Sequence, residues 1–152
     1  MKLYKRKLIK ILGLSLLSII FPINSLLASA KKVINSNLSN KQKKIMFNEG
    51  TEKPYSSELL NEKRKGFYHC ANCGNKLFAS NSKFDSGTGW PSFSEALPGA
   101  FKTKTDYSFG IERVEYHCAK CGAHHGHVFN DGPRESGKRF CNNGLCLIFK
   151  PE

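Results

Sequence analysis

Seven residues occur twice with one substitution: Tyr68-His69-Cys70-Ala71-Asn72-Cys73-Gly74 and Tyr116-His117-Cys118-Ala119-Lys120-Cys121-Gly122. Cys-x-x-Cys-Gly at a strand end makes a tight knuckle, in which two thiolates point to one side and glycine takes the positive φ needed to leave the turn. Two knuckles offer a closed shell of four thiolates, the donor set that suits a structural zinc ion best. The alternative is disulfides. A bond within Cys-x-x-Cys is a strained, reducible arrangement rather than a staple, whereas crossed pairing of Cys70 and Cys73 with Cys118 and Cys121 stays open at this level. The expectation is zinc on Cys70, Cys73, Cys118 and Cys121, joining two halves of one fold. Two copies this far apart are matched hairpin tips, not a repeat architecture.

The remaining sequence frames those tips. At 152 residues the chain suits one domain with a core of its own. Residues 1–10 carry Lys2, Lys5, Arg6, Lys7 and Lys10 without an acid, and residues 11–27 are almost wholly apolar. Ala28-Ser29-Ala30 supplies the small residues a signal peptidase reads, so residues 1–30 are expected to be a signal peptide cleaved after Ala30. The apolar run, interrupted by Pro22 and Asn24, falls short of the ~20 residues a span needs; an uncleaved membrane tether is the alternative. No Cys follows the run, which disfavours a lipoprotein.

Residues 31–49 are rich in Asn, Ser and Lys and are expected to form a polar lead-in outside the core. The folded domain is expected over residues 50–152. A short helix is predicted over 54–63, where Ser56 or Ser57 can cap and Leu59 and Leu60 form one apolar side. From Gly66 onward, aromatic or β-branched runs at 67–69, 76–78, 108–116, 127–129 and 145–149 alternate with turn clusters. This pattern predicts a mainly β, antiparallel domain with a short N-terminal helix.

The formal net charge of +12 invites a nucleic-acid reading, but the signal segment holds five of the cations. A zinc ribbon binding nucleic acid is the main alternative function. Ribbons place ~15–20 residues between their Cys pairs, whereas 44 separate Cys73 from Cys118, and export removes the nucleic acid. A secreted disulfide-rich binding domain would explain six cysteines but not the polar constellation described next.

Cys141 lies in Lys138-Arg139-Phe140-Cys141-Asn142-Asn143-Gly144. If that stretch is extended, Arg139, Cys141 and Asn143 share a face while Phe140 turns to the core. A guanidinium beside a thiol favours the thiolate, the reactive form. Upstream, His124-His125-Gly126-His127-Val128-Phe129-Asn130-Asp131-Gly132-Pro133 supplies several proton donors. Together these segments suggest a nucleophile with acid–base helpers.

These motifs, with Gly50-Thr51-Glu52, Pro54-Tyr55-Ser56 and Lys83-Phe84-Asp85-Ser86-Gly87-Thr88-Gly89-Trp90-Pro91-Ser92-Phe93, run in an order that resembles the B-type methionine sulfoxide reductases. The resemblance covers residues 50–149. It implies two antiparallel sheets linked at a zinc site, and reduction of the R epimer of methionine sulfoxide in peptides and proteins. It implies attack by Cys141 on the sulfoxide sulfur, leaving a sulfenic acid. It implies that His124 and His127 hold or protonate the oxygen, that Asp131 assists them, that Arg139 lowers the thiol pKa and that Asn143 orients the centre. Trp90 would pack against the S-methyl group, with Phe93 also counted among the substrate-binding residues, and His125 is expected to be solvated and idle. The implied partners are oxidised proteins and a thioredoxin-like reductant, for an exported monomer without a stable span after cleavage.

One position departs from the pattern. Many members carry a recycling Cys where this chain has Thr88, so that disulfide cannot form. Cys146 is the other unassigned thiol and a candidate resolver. On a continuous strand its odd spacing puts it on the opposite face and roughly 16 Å from Cys141, beyond the ~7 Å between Cα atoms that a disulfide tolerates. A turn at Asn142-Asn143-Gly144 would shorten the gap; otherwise Cys146 is a small core residue and an external thiol clears the sulfenic acid.

Overall fold

The computed structural model describes residues 31–152, and the expected signal peptide lies outside the described residues. In chain order the described residues form helix α1 (Asn40–Asn48) and strands β1 (Gly66–Cys70), β2 (Lys76–Ala79), β3 (Lys83–Phe84), β4 (Ser92–Phe93), β5 (Phe101–Asp106), β6 (Arg113–Cys118), β7 (His124–Phe129), β8 (Arg139–Asn142) and β9 (Leu147–Pro151). One antiparallel sheet runs β2-β1-β9 and a second runs β3-β4-β8-β7-β6-β5. This is the mainly β, two-sheet fold that the sequence and its resemblance implied. Among the described residues no helix is long and apolar enough to cross a membrane.

Aromatic side chains from both sheets fill the core. Phe78 of β2 stacks on Phe93 of β4 with centroids 4.0 Å apart, and Tyr68 of β1 meets Phe93 edge-on at 4.9 Å. Tyr116 of β6 lies 4.6 Å from Phe101 and 5.4 Å from Phe140. Tyr68, Phe78, Phe93 and Tyr116 are fully buried; each contributes roughly 1.5–3 kcal/mol by leaving water, with more from ring geometry. Both knuckles follow the predicted geometry. Cys70 ends β1 and Cys118 ends β6, and in each the knuckle glycine (Gly74, Gly122) has φ near 70° and donates its N–H to the first cysteine's carbonyl at 2.8 Å.

Residues 31–49 correct the expectation of a lead-in outside the core. Ser39 and Gln42 form a reciprocal capping box that starts α1. Leu38, Ile45 and Met46 are buried, and Gln42 Nε2 ties the helix to the Leu145 carbonyl (3.0 Å). Ile45 and Met46 dock the helix, helped by Leu38 just ahead of it and by the partly buried Phe47, while the remaining helix positions stay polar. The folded domain therefore begins before Gly50.

The helix predicted over 54–63 is a single 3-10 turn, Glu58–Asn61, capped by Ser57. Ahead of it Tyr55 adopts a positive φ and donates its N–H to Gly89 O (2.7 Å) and its hydroxyl to Gly87 O (2.8 Å). Those bonds hold the segment as a loop against residues 87–89. Residues 108–110 are a 3-10 turn rather than strand, and Gly144–Cys146 form another just before β9. β5 lies where no strand is predicted. It edges the large sheet and exposes most of its residues, including Lys102 and Lys104, so it carries charge where a strand signal needs apolar alternation.

Candidate active site and metal centre

The two knuckles meet. The Sγ atoms of Cys70, Cys73, Cys118 and Cys121 all lie within 4.8 Å of one another, with Cys70–Cys121 at 3.8 Å and Cys73–Cys118 at 3.5 Å. Four sulfurs ~2.3 Å from one tetrahedral ion stand about 3.8 Å apart. A disulfide needs ~2.05 Å, and all six cysteines are free. The residues therefore fit a metal ion held by four thiolates, and neither intra-knuckle nor crossed disulfides form.

His125 corrects the expectation of an idle surface residue. It is fully buried with Nε2 3.4 Å from Cys70 Sγ. Burial drives its pKa down to about 3, so the ring is neutral and its Nε2–H can donate to the thiolate. Asn75 Nδ2 donates to Cys118 Sγ at 3.6 Å. Such outer partners orient metal ligands and spread their charge.

The chain ahead of α1 straps this centre. Lys32 N–H donates to Cys121 O (3.1 Å), and Asn72, between the first two cysteines, accepts on Oδ1 from Ile34 N (2.8 Å) and Asn35 N (3.1 Å). Asn72 Nδ2 donates to Lys32 O (2.7 Å) and Asn35 Nδ2 to Ala71 O (3.0 Å). A chain beginning at Leu38 loses all five bonds. At about 1 kcal/mol for a typical net hydrogen bond, transfer of bound metal to a chromophoric chelator is expected to speed up by about tenfold or more. An unchanged release rate would show that the strap does not guard the centre.

The second constellation lies on β4, β7 and β8 of the large sheet. β8 is paired with β7 and β4 so that Cys141 stands opposite both His127 and Ser92, Phe140 opposite Val128 and Phe93, and Arg139 opposite Phe129. Paired residues share a face. Cys141, His127 and Ser92 therefore point one way, and Phe140 and Phe93 point into the core. Gly126, opposite Asn142, admits no side chain, because a Cβ there would stand 1.9 Å from Cys141 O. A cavity of about 210 Å³ opens over Cys141, walled by Trp90, His127, Thr51, Phe129 and Asn143.

His127, at the cavity, and His124, buried behind it, each have their own carboxylate. His127 Nε2–H donates to Asp106 Oδ2 (2.7 Å), which also pairs with Arg113 (2.6 Å). Hydrogen bonds from Ser108, then from His127, and the charge of Arg113 hold Asp106 well below the usual carboxylate range. His124, fully buried, donates Nδ1–H to Glu115 Oε1 (2.7 Å), and its ring lies 5.7 Å from that of His127. Burial alone would raise the Glu115 pKa, but hydrogen bonds from His117, His124 and Lys104 hold it down.

Several expected roles change. Asp131 does not reach the histidines: it forms a two-pronged ion pair with Arg139 (2.9 and 2.8 Å). Asp106 and Glu115 take its place. Phe93 is not at the cavity, since adjacent strand residues face opposite ways and Ser92 takes the cavity side. Burial pushes the Cys141 thiol above its usual value; Arg139, stacked 4.4 Å over Phe129, and a hydrogen bond from Thr88 both pull it down but are outweighed. Asn143 Oδ1 accepts from Glu52 N (2.9 Å) and Nδ2 donates to His125 O (3.0 Å), so its amide braces the loop after β8. Cys146 is fully buried in the core cluster, and burial pushes its pKa well up.

Sequence reading also missed Glu52, which joins both walls. Its carboxylate accepts from the N–H groups of Gly144 and Leu145 (the latter 3.0 Å), and its carbonyl accepts from Trp90 Nε1 (3.1 Å). Thr88, in the usual recycling position, belongs to a hydroxyl chain through Ser86 (2.8 Å) to Ser92 (2.7 Å).

Residues 38–151 match the SelR domain. The chain belongs to the MsrB family of peptide methionine sulfoxide reductases. Among its MsrB relatives, the peptide methionine sulfoxide reductase MsrB of Methanosarcina barkeri is 47% identical over 116 residues, covering 76% of this chain and 82% of that protein. That of Leifsonia xyli is 50% identical over 117 residues, covering 76% and 84%. The mitochondrial methionine-R-sulfoxide reductase B3 of Mus musculus is 42% identical over 123 residues, covering 80% of this chain and 49% of that protein. For an MsrB enzyme, the cavity is the place where a sulfoxide can meet a thiol, an imidazole and an indole at once.

Proposed function

We propose that this MsrB enzyme reduces the R epimer of methionine sulfoxide in peptides and proteins, through a sulfenic acid on Cys141. The observation that carries the reading is the cavity in which Cys141 stands directly opposite His127 beneath Trp90. The thiol rests protonated because burial raises its pKa, so it needs a base. His127 can serve as that base, because burial lowers its pKa against the opposing pull of Asp106. With Nε2–H given to Asp106, its Nδ1 is free to accept a proton. The thiolate attacks the sulfoxide sulfur, His127 returns the proton to the oxygen, and the oxygen passes to Cys141 as the S–O bond of the substrate breaks. Methionine leaves and Cys141 is a sulfenic acid.

Three directions support selectivity for one epimer. The thiol approaches the sulfur from one side, the oxygen is drawn to His127, and the methyl lies on the Trp90 indole. Only one configuration satisfies all three with the peptide chain pointing outward. With racemic sulfoxide in a short peptide and excess dithiothreitol, consumption is expected to stop at one half, and chiral chromatography should show the S epimer untouched. Consumption of both epimers at similar rates would overturn the R assignment.

The sulfenic acid is cleared from outside. A first external thiol condenses with it, releasing water and leaving a mixed disulfide on Cys141; a second thiol releases the enzyme and departs as the oxidised disulfide. The burial of Cys146 supports this over an internal bridge, and a thioredoxin-like dithiol supplies both thiols in one molecule. The metal is zinc, which suits a closed shell of four sulfurs with no place for substrate; it would be held by Cys70, Cys73, Cys118 and Cys121 and would supply stability rather than chemistry. Residues 1–30 support repair of exported proteins as the working context.

A further inference from the structure

A second depression, of about 410 Å³, adjoins the cavity and is shared with it through Thr51. Its floor is apolar, from Ile45 of α1 and Leu145, and its rim carries Lys41, Lys44 and Lys53. Lys41 and Lys44 lie three apart on α1, one helical turn that sets them on one side, and α1 contains no acidic residue. Among the described residues none of the three lysines pairs with a carboxylate; the neighbouring Glu49 is taken by Lys31 (2.7 Å) and Lys104 (2.6 Å). The one acid in the groove, Glu52, is buried and turned to the N–H groups of Gly144 and Leu145. On the other side of Trp90 the surface depression carries both signs, Glu62 and Asp85 with Lys63 and Lys83, and so has no preference of its own.

We infer that the lysine-rimmed groove receives acidic side chains flanking the methionine sulfoxide of a peptide substrate, which makes acidic segments the favoured substrates. The inference rests on the proposed reduction of peptide-bound methionine sulfoxide. A peptide whose sulfoxide lies against Cys141 must leave the cavity over its rim, and the Thr51 side leads directly into the groove. An extended chain advances about 3.3 Å per residue, so residues within about four of the sulfoxide come under the lysines. Ammonium groups are compact charges on flexible stems. They attract carboxylates without fixing one geometry, which suits an enzyme acting on many sequences. The attraction acts on binding and not on the reacting atoms, so it enters KM.

Matched peptides carrying R-methionine sulfoxide flanked on either side by Glu or Ser test the inference, with dithiothreitol as reductant. On one flank, Glu is expected to raise kcat/KM by about fivefold through KM alone, and 0.5 M NaCl should erase the gain by screening. The triple variant Lys41→Gln, Lys44→Gln, Lys53→Gln should bring the Glu peptide down to the Ser value while leaving the Ser peptide unchanged; reversal to Glu at the three positions should make acidic peptides the poorer ones. Equal kcat/KM for Glu and Ser peptides, or a gain that survives the triple variant, overturns the inference but leaves the reductase reading standing. Failure to reduce even the Ser peptide would overturn that reading as well.

Discussion

Cys141→Ser is expected to lower reduction of a methionine sulfoxide peptide by on the order of 10⁴-fold or more, as loss of a nucleophile does. A serine hydroxyl has neither the nucleophilicity of sulfur nor the ability to accept oxygen. The fold should survive, because the thiol borders a cavity rather than filling the core, and a shift in unfolding free energy of about 1 kcal/mol at most is expected. Steady-state turnover with calorimetry separates the two effects. The same residue should show its burial in its chemistry. Alkylation of Cys141 by iodoacetamide should be slow at pH 7 and rise with pH through a midpoint above the ordinary thiol range, since the thiolate appears only above the raised pKa. After one turnover without reductant, a dimedone adduct on Cys141 and no bridge to Cys146 are expected by mass spectrometry. Activity retained in Cys141→Ser would remove the basis of the mechanism.

Loss of the metal should be the most damaging change to the fold. The four sulfurs come from the ends of β1 and β6 and the turns after them, one strand from each sheet, so an ion held there would join the two layers. Structural zinc contributes about 10–16 kcal/mol in small zinc-binding peptides, as large as the whole stability of most domains, ~5–15 kcal/mol. Without the ion, four thiol groups within 4.8 Å have no cation to balance the charge of their reactive forms. Stripping under denaturing conditions and refolding with a chelator should give a protein without a cooperative thermal transition and without near-ultraviolet circular dichroism; stoichiometric zinc should restore both. Cys118→Ala should behave like the stripped protein. A cooperative transition in metal-free protein within a few degrees of the loaded one would show that the ion is dispensable.

What could be read from the sequence was what neighbouring residues carry together. The knuckles are seven contiguous residues, so their geometry follows from local chain stereochemistry, and only their meeting had to come from the fold. Strand parity put Arg139 on the side of Cys141, where its guanidinium pulls on the thiol, but it could not show that β8 ends at Asn142 and that Asn143 belongs to the turn. Partnerships across strands were not legible. His127 reaches Asp106, 21 residues earlier and two strands away in the sheet, while the nearer Asp131 is drawn to Arg139 across the β7–β8 connection. Phe93 shows the same limit at short range. β4 has two residues, too few for alternation to reveal which one faces the core. α1 was hidden because two buried side chains, adjacent in the sequence among mostly polar ones, leave a weak pattern, although Ser39 and Gln42 carried the capping signal.

Glu52 ties the Trp90 wall to the turn after Cys141 through its carbonyl, its N–H and both carboxylate oxygens. Two walls fastened to one residue move as one body. The site is thus assembled before substrate arrives, and no closing motion has to precede chemistry. Binding energy from the peptide is not diverted into organising the pocket. An enzyme built in this way can accept methionine sulfoxide in unfolded or loosely held segments whose own sequence contributes little, because the alignment of the reacting atoms is supplied in advance by the protein.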